Sequence, residues 1–333
     1  MKIAFFDTKP YDRFYFEPLL QEPALNLHVK FLQARLTADT AALAGGFDGV
    51  CIFVNDTVDA TAAEILHRLG IKLIALRSAG FNNVDLEAIR GKIPAVRVPA
   101  YSPHAVAEYA VSLLLTLNRK THKAYSRIRD GNFSLVGLEG AVLHGKTVGI
   151  IGTGLIGRIT AEILRGFGME VIASDPYPQT EWAAAHGVQY TERADLLRRS
   201  DIISLHCPLT PENRRLIGRE ALASMKSGVI IINTGRGGLI DTRALIKALK
   251  ENRIGGAGLD VYEEEDGYFF EDHSGEVIQD DMLARLLTFP NVLITSHQAF
   301  FTHEALQEIA KTTLENFRLF FEKGELPNEI KVQ

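Results

Sequence analysis

Lys146-Thr147-Val148-Gly149-Ile150-Ile151-Gly152-Thr153-Gly154-Leu155-Ile156-Gly157-Arg158 runs an apolar strand straight into a Gly-x-Gly-x-x-Gly turn. The first glycine permits the tight turn and the second lets the backbone come close to a pyrophosphate. The third lets the following helix pack on the strand while its N-terminal N–H groups face the anion. A bare pattern of this kind also arises by chance in a chain with 28 glycines, so its context decides. A helix expected over Leu155 to Gly168 leads into a second strand, Met169-Glu170-Val171-Ile172-Ala173-Ser174, which ends at Asp175. Asp175 follows Gly152 by 23 positions, near the roughly 20-residue interval at which an acidic side chain meets the adenosine ribose hydroxyls. A carboxylate there favours NAD and repels the 2′-phosphate of NADP, and Pro176-Tyr177-Pro178-Gln179 bring no Arg or Lys to neutralise one. An Asp that merely opens a turn before Pro176 is the alternative.

The chain has 333 residues, more than one core usually serves, and 46% hydrophobic residues suffice for two cores. A formal net charge of −5 gives no footprint for nucleic acid or an anionic membrane surface, and neither is expected as a partner. Cys51 and Cys207 are the only cysteines and lie in apolar, strand-like runs. No disulfide framework or structural zinc site follows, and a reducing cytoplasm fits best. Neither the N-terminus nor the apolar stretch around Leu113 to Leu117 approaches the length of a signal peptide or a membrane span.

Ahead of the glycine turn, Lys2 to Phe6, Leu27 to Phe31, Gly49 to Val54, Leu73 to Arg77 and Ala95 to Val98 read as strands. Several are apolar on both faces, as in a covered parallel sheet. Ala60 to Leu69 and Val84 to Arg90 read as helices between them. A long helix then begins near Ser102 and Pro103 and carries an apolar stripe, Val106, Ala110, Leu113 and Leu117, beside Tyr109. One side of that helix can cover a sheet and another can meet a second subunit, so at least a homodimer is expected, with a tetramer open. Six further strands are expected around Val148, Val171, Ile202, Val229, Gly256 to Val261 and Val292 to Thr295, and a last helix over about Thr302 to Lys323 returns to the first domain. The expected division is 1–100 plus 299–333 for the substrate domain and 101–298 for the cofactor domain, meeting at a cleft.

Catalytic groups belong on loops after the carboxyl ends of the cofactor-domain strands. Asn233-Thr234-Gly235-Arg236-Gly237-Gly238 offers one arginine whose fork suits a carboxylate, although Arg236 capping a helix or pairing with a surface acid is equally open here. Asn291-Val292-Leu293-Ile294-Thr295-Ser296-His297-Gln298 places His297 directly after a buried strand, where an imidazole can give a proton near neutral pH. His297 capping the strand end is the bland reading. The run Glu263-Glu264-Glu265-Asp266 is ordinarily a solvated face, yet one member can orient such a histidine. His206-Cys207 suggests a metal at first sight, but adjacent side chains point to opposite faces, and the loop reads as cofactor wall.

These residues, with Ser204-Leu205-His206-Cys207-Pro208-Leu209-Thr210-Pro211-Glu212-Asn213, Leu259-Asp260-Val261-Tyr262 and Ser296-His297-Gln298-Ala299-Phe300, resemble the D-isomer-specific 2-hydroxyacid dehydrogenases. Within that family Phe53-Val54-Asn55-Asp56, Leu76-Arg77-Ser78-Ala79-Gly80-Phe81, Val98-Pro99-Ala100-Tyr101-Ser102-Pro103 and Phe269-Phe270-Glu271-Asp272 are most similar to fermentative D-lactate dehydrogenases. The resemblance implies an α/β protein of two doubly wound parallel-sheet domains, a Rossmann-type NAD-binding domain inserted into a flavodoxin-like substrate domain. It implies that Arg236 holds the substrate carboxylate and polarises the keto oxygen, that His297 donates the proton, and that Glu265 pairs with His297. Ala79 and Gly80 would supply N–H groups to the carboxylate, and Tyr101 and Phe300 would line the pocket. Beside Gly152, Gly154 and Gly157, the implied cofactor contacts are Leu155, Ile156, Asp175, Cys207, Pro208, Asn213, Thr234, Gly235 and Asp260. Gly235, where many members carry Ser or Ala, and Ser296, where many carry Pro, depart from the pattern.

The resulting expectation is NADH-dependent, reversible reduction of pyruvate to D-lactate. A longer or aromatic 2-keto acid is the second reading, since Phe53 and Tyr101 can crowd a side chain but sequence leaves pocket volume open. Formate dehydrogenases of the superfamily carry Gln where Glu265 stands. A dehydrogenase-like corepressor is a reading of another class, and no basic patch follows Asn328-Glu329 to support it.

Overall fold

A computed structural model describes residues 1–22, 25–265 and 267–331. The chain forms two compact units, Met1–Ser102 with Phe301–Gln333, and Pro103–Phe300. Ala299 and Phe300 fall in the inserted unit rather than the outer one. The reason is local: the Asp260 carboxylate accepts the Ala299 N–H at 2.8 Å.

The first unit carries five parallel strands, β1 (Lys2–Phe5), β2 (His28–Phe31), β3 (Gly49–Ile52), β4 (Leu73–Leu76) and β5 (Ala95–Val96). Their spatial order β2-β1-β3-β4-β5 is the flavodoxin-like order of a doubly wound sheet. β3 and β4 are buried along their whole length, which demands apolar side chains on both faces, whereas the edge strand β2 shows His28 and Lys30 to solvent. Helices Ala60–Arg68 and Leu86–Ile89 begin on Asp59 and Asp85, whose carboxylates accept the Ala62 and Ala88 N–H groups. A helix at Pro10–Leu20 was not expected from sequence. Pro18 stands inside it and only Asp12 and Phe16 are buried, so it lacks a helical apolar stripe. The last helix, His303–Lys323, starts on Thr302, ends at Gly324 with φ +70°, and packs on Pro10–Leu20 and β4.

The second unit holds seven parallel strands, β6 (Thr147–Ile151), β7 (Glu170–Ser174), β8 (Val188–Tyr190), β9 (Ile202–Leu205), β10 (Val229–Asn233), β11 (Ile254–Leu259) and β12 (Val292–Ile294). Their order, β12-β11-β10-β9-β6-β7-β8, is the Rossmann order 3-2-1-4-5-6 counted from β6, with a seventh strand beside the sixth. The strand missing from the sequence expectation is β8, a three-residue edge with only Val188 buried. The helix Pro103–Arg119 buries Val106, Ala110, Leu113 and Leu117. Glycines of β11 make room for it: a Cβ at Gly256 would lie 3.0 Å from the Leu117 side chain, and one at Gly258 would lie 3.4 Å from Leu113. The stripe is thus the side of the helix that covers the sheet. Exposed apolar side chains of this unit lie further along the chain, at Tyr125, Ile128, Phe133, Leu135, Val136 and Val142.

A single buried cation organises the sheet crest of the first unit. Arg77, 2% exposed, follows β4 directly, and its guanidinium lies 4.4 Å from the Phe5 ring centroid and 4.8 Å from that of Phe53. It pairs with Asp12 at 3.3 Å and donates to the Asp7 carbonyl at 2.7 Å, which holds the start of Ser78-Ala79-Gly80. Burial pushes the nearby Cys51 thiol up to about 12 and the Asp56 carboxyl up to about 6, so Cys51 is an inert thiol at neutral pH. Asp12→Ala would remove the carboxylate that pairs directly with buried Arg77 and leave only the more distant charge of Asp56, at a cost of about 3–5 kcal/mol. Urea denaturation monitored in the first unit reads this loss, and a change below about 1 kcal/mol would contradict the assignment.

Candidate active site

The glycine turn is built by backbone touching backbone. Gly152 sits at φ +92°, and a Cβ there would come within 2.6 Å of the Cys207 nitrogen. At Gly157 a Cβ would lie 2.0 Å from the Gly152 carbonyl oxygen, so only glycine lets the helix Leu155–Gly166 close on the turn. Gly154 differs, because nothing lies within 4 Å of where its Cβ would be. Open space there adjoins the start of a helix whose N-cap, Gly154, offers no side chain to its first N–H groups. Leu155, the first helical residue, is 53% exposed. At the end of β7 the Asp175 carboxylate accepts the Thr153 N–H at 2.5 Å and the Tyr177 N–H at 2.8 Å.

The wall after β9 is tied by Asn213, which donates to the Pro208 carbonyl at 2.6 Å and accepts the Thr210 N–H at 2.7 Å. Burial raises the Cys207 thiol. His206 lies 2.8 Å from the Ser204 hydroxyl through Nε2, and burial lowers its imidazole to about 4, so it is neutral near pH 7. Thr234 is 6% exposed and its hydroxyl has no hydrogen-bond partner among the described residues. A cradle free of side chains, free helix amides and an orphaned buried hydroxyl fit a dinucleotide spanning this crest.

The reacting side chains stand on the next loops. Asp260, directly after β11, is fully buried. One carboxylate oxygen accepts the Thr295 hydroxyl at 2.6 Å and the Gln298 N–H at 2.9 Å, and the other accepts the Ala299 N–H. Its carbonyl takes the His297 N–H at 2.7 Å. Desolvation raises the Asp260 carboxyl while these donors oppose the rise. The loop so held places His297 at φ +48° with Nδ1 2.9 Å from Glu265 Oε1. Glu265 is anchored by its other oxygen, which accepts the Tyr262 N–H at 2.9 Å. An ionised carboxylate only accepts, so Nδ1 carries a proton, and Nε2, on the side of the ring away from Glu265, has no partner among the described residues.

Arg236 sits on the loop after β10. Asn233 shapes this loop by accepting the Gly235 N–H at 3.0 Å and donating to the Arg236 carbonyl at 2.9 Å. The Arg236 guanidinium donates only to the Gly235 carbonyl at 2.8 Å, and no described acid pairs with it. A Cβ at Gly237 would lie 2.0 Å from the Tyr262 oxygen, so the Arg236 loop stacks directly on the loop that carries Glu265.

Of the described acids in the run, Glu265 alone meets His297. Glu263 pairs with Arg215 at 2.8 Å and accepts the Thr242 N–H, Glu264 is exposed, and Asp266 lies outside the described residues. Gly235 has room for a Cβ, the nearest atom being 3.4 Å away. The Ser296 hydroxyl accepts the Phe270 N–H at 3.2 Å, a contact that the family's usual proline lacks. Phe300 is buried in the second unit, while Tyr101 is half-buried in the first.

Also in the first unit, Ala79 and Gly80 present two N–H groups without partners among the described residues. Their orientation is imposed by the preceding carbonyls: Ser78 C=O accepts the Val98 N–H at 3.1 Å, and Ala79 C=O accepts the Arg97 guanidinium at 2.7 Å. Each peptide N–H points opposite its carbonyl. Sequence reasoning missed Arg97, Thr153, Tyr190 and the positioning role of Asp260. Thr153 and Asp260 stand inside quoted motifs that do not signal these hydrogen bonds, Arg97 carries no motif, and Tyr190 had only a local signal, an aromatic residue ending a Val-Gln-Tyr edge.

Residues 111–299 match the profile of the "D-isomer specific 2-hydroxyacid dehydrogenase, NAD binding domain". The D-lactate dehydrogenase of Escherichia coli is 51% identical over 332 residues, covering 99% of this chain and 100% of that protein. The solved pyruvate reductase of Chlamydomonas reinhardtii superposes with a TM-score of 0.93 at 43% identity, covering 98% of each chain. An NAD complex of a D-isomer-specific 2-hydroxyacid dehydrogenase from Lactobacillus delbrueckii ssp. bulgaricus superposes with a TM-score of 0.82 at 32% identity, covering 99% of this chain and 100% of that one. This chain belongs to the D-isomer-specific 2-hydroxyacid dehydrogenase family and is an NAD-dependent oxidoreductase of that family.

Proposed function

We propose that the chain reduces pyruvate to D-lactate with NADH, and the reverse, with His297 as proton donor. The observation that carries this reading is the Glu265-anchored imidazole, whose Nε2 has no partner among the described residues, in one unit with Arg236, which no described acid pairs. NADH, when bound, supplies the hydride. Gly152, Gly154, Gly157, Leu155 and Ile156 would hold its pyrophosphate, Asp175 its ribose, and Cys207, Pro208, Asn213, Thr234, Gly235 and Asp260 the remainder.

Arg236 grips the keto-acid carboxylate with its planar fork and draws charge onto the keto oxygen. By the family resemblance, the N–H groups of Ala79 and Gly80 would take the other carboxylate oxygen, and Tyr101 and Phe300 would line the pocket. As negative charge grows on the keto oxygen, imidazolium His297 releases its Nε2 proton to it, and Glu265 keeps Nδ1 protonated throughout. One proton and one hydride are consumed per D-lactate. Relatives named for D-lactate and for pyruvate, at 51% and 43% identity, support the small keto acid, whereas a structure named for the longer D-2-hydroxyisocaproate is 33% identical. Two free cysteines, Cys51 and Cys207, suit a reducing cytoplasm.

We further propose at least a homodimer in which Phe133, Leu135, Val136 and Val142, 75–82% exposed here, meet a second copy. Light scattering should return a dimer or larger species, and Leu135→Asp with Val136→Asp should release monomer. A monomeric wild type refutes the contact.

Pyruvate reduction should slow as pH rises and D-lactate oxidation should quicken, because the two directions need opposite protonation states of His297. His297→Gln should cost on the order of 10²–10⁴ in kcat. Glu265→Gln removes the charge that favours imidazolium, so its reduction profile should move to lower pH with partial activity left. Arg236→Lys should raise KM for pyruvate more than it lowers kcat. A Glu265→Gln profile that overlays wild type rejects the ion-pair role. Equal kcat/KM for pyruvate and phenylpyruvate rejects the substrate assignment.

A further inference from the structure

We infer that Tyr190 and Thr153 form a hydrogen-bond relay that sets cofactor selectivity by fixing the Asp175 carboxylate; this rests on the proposed role of Asp175 at the ribose. Thr153 lies between the first two glycines of the turn and is 2% exposed. Its N–H and its hydroxyl both meet Asp175 Oδ2, at 2.5 and 2.9 Å, while Tyr177 N–H occupies Oδ1. The Tyr190 and Thr153 hydroxyls are 2.7 Å apart, and the Tyr190 oxygen receives the Gln179 N–H at 3.0 Å.

The direction of this chain is determined by its ends. A hydroxyl has one proton, and that of Thr153 faces a carboxylate that only accepts, so Tyr190 donates to Thr153. The protons therefore all point one way, from Gln179 N–H to Tyr190, from Tyr190 to Thr153, and from Thr153 to Asp175. Donors aligned in this manner polarise one another toward the terminal charge.

Every one of these donors is neutral, and no described Lys or Arg pairs with Asp175. Such donors orient the carboxylate without cancelling its charge, so its full repulsion remains available against a 2′-phosphate. A cation in the same place would hold Asp175 equally well and forfeit that discrimination. The relay also gives the short edge strand β8 a task, because Tyr190 is its last residue. Three chain segments, the turn after β6 and the ends of β7 and β8, converge on one carboxylate.

Losing a relay hydroxyl lets Asp175 turn away, which weakens its hold on the ribose of NADH and relieves its repulsion of NADPH. Fluorescence titration of the purified full chain with each cofactor measures both dissociation constants. Tyr190→Phe and Thr153→Val should each raise Kd for NADH about 3–10-fold, the scale of one or two lost hydrogen bonds. Kd for NADPH should stay level or fall, and kcat at saturating NADH should be retained. Thr153→Ser, which keeps the hydroxyl, should keep the wild-type ratio of the two constants.

Equal weakening of both cofactors, or an unchanged ratio, would overturn the relay. Asp175→Ala separates the two ideas. If it collapses the ratio and Tyr190→Phe does not, the relay is wrong and the ribose reading stands; if it leaves the ratio intact, the ribose reading fails. In an Asp175→Ala background, Tyr190→Phe should have no further effect on the ratio, and an effect of the single-variant size would refute action through Asp175.

Discussion

A carboxylate with no exposed surface, that of Asp260, joins the loop after β11 to the loop after β12. Burying it is costly, and the Thr295 hydroxyl with the Gln298 and Ala299 N–H groups offsets that cost. What remains is rigidity at His297, whose N–H is taken by the Asp260 carbonyl and whose φ is +48°. That left-handed backbone costs about 1–2 kcal/mol for a residue with a Cβ, and it persists because the surrounding hydrogen bonds over-determine it. The imidazole is thereby delivered to Glu265, which is itself pinned by the Tyr262 N–H.

The same economy of space governs the rest of the crest of this sheet. Gly152 lies on Cys207, Gly157 on Gly152 and Gly237 on Tyr262, each so close that a Cβ would collide with backbone. Successive loops are therefore stacked main chain on main chain, and side chains are reserved for the few that act: Arg236, Glu265, His297 and Asp175. Gly154 and Gly235 differ, since a Cβ at either would meet no backbone closer than 3.4 Å.

The fold was largely legible because parallel strands buried on both faces announce themselves as apolar runs, and the glycine turn with Asp175 fixed their order. Legibility failed where burial was partial. β8 is a three-residue edge, Pro10–Leu20 buries a single aromatic ring, and the stripe on Pro103–Arg119 spoke of burial without saying against what. Arg236 and His297 were visible as unusual residues after apolar strands, yet local sequence left each with a bland alternative. Choosing Glu265 from its acidic neighbours took the family resemblance, and its physical reason is that Glu263 is committed to Arg215. Asp260, Thr153 and Arg97 act through hydrogen bonds to residues distant in sequence, and such pairings have no local signature.

Glu265 holds the proton on Nδ1 of His297 and so leaves Nε2 as the nitrogen free to exchange a proton with substrate. Two-bond ¹H–¹⁵N correlation spectra of the imidazoles, with His297 assigned by its loss in His297→Gln, read that tautomer directly. The account predicts that neutral His297 carries its proton on Nδ1 and that Glu265→Ala abolishes this preference. A neutral His297 protonated on Nε2, or one whose tautomer is indifferent to Glu265, would contradict it.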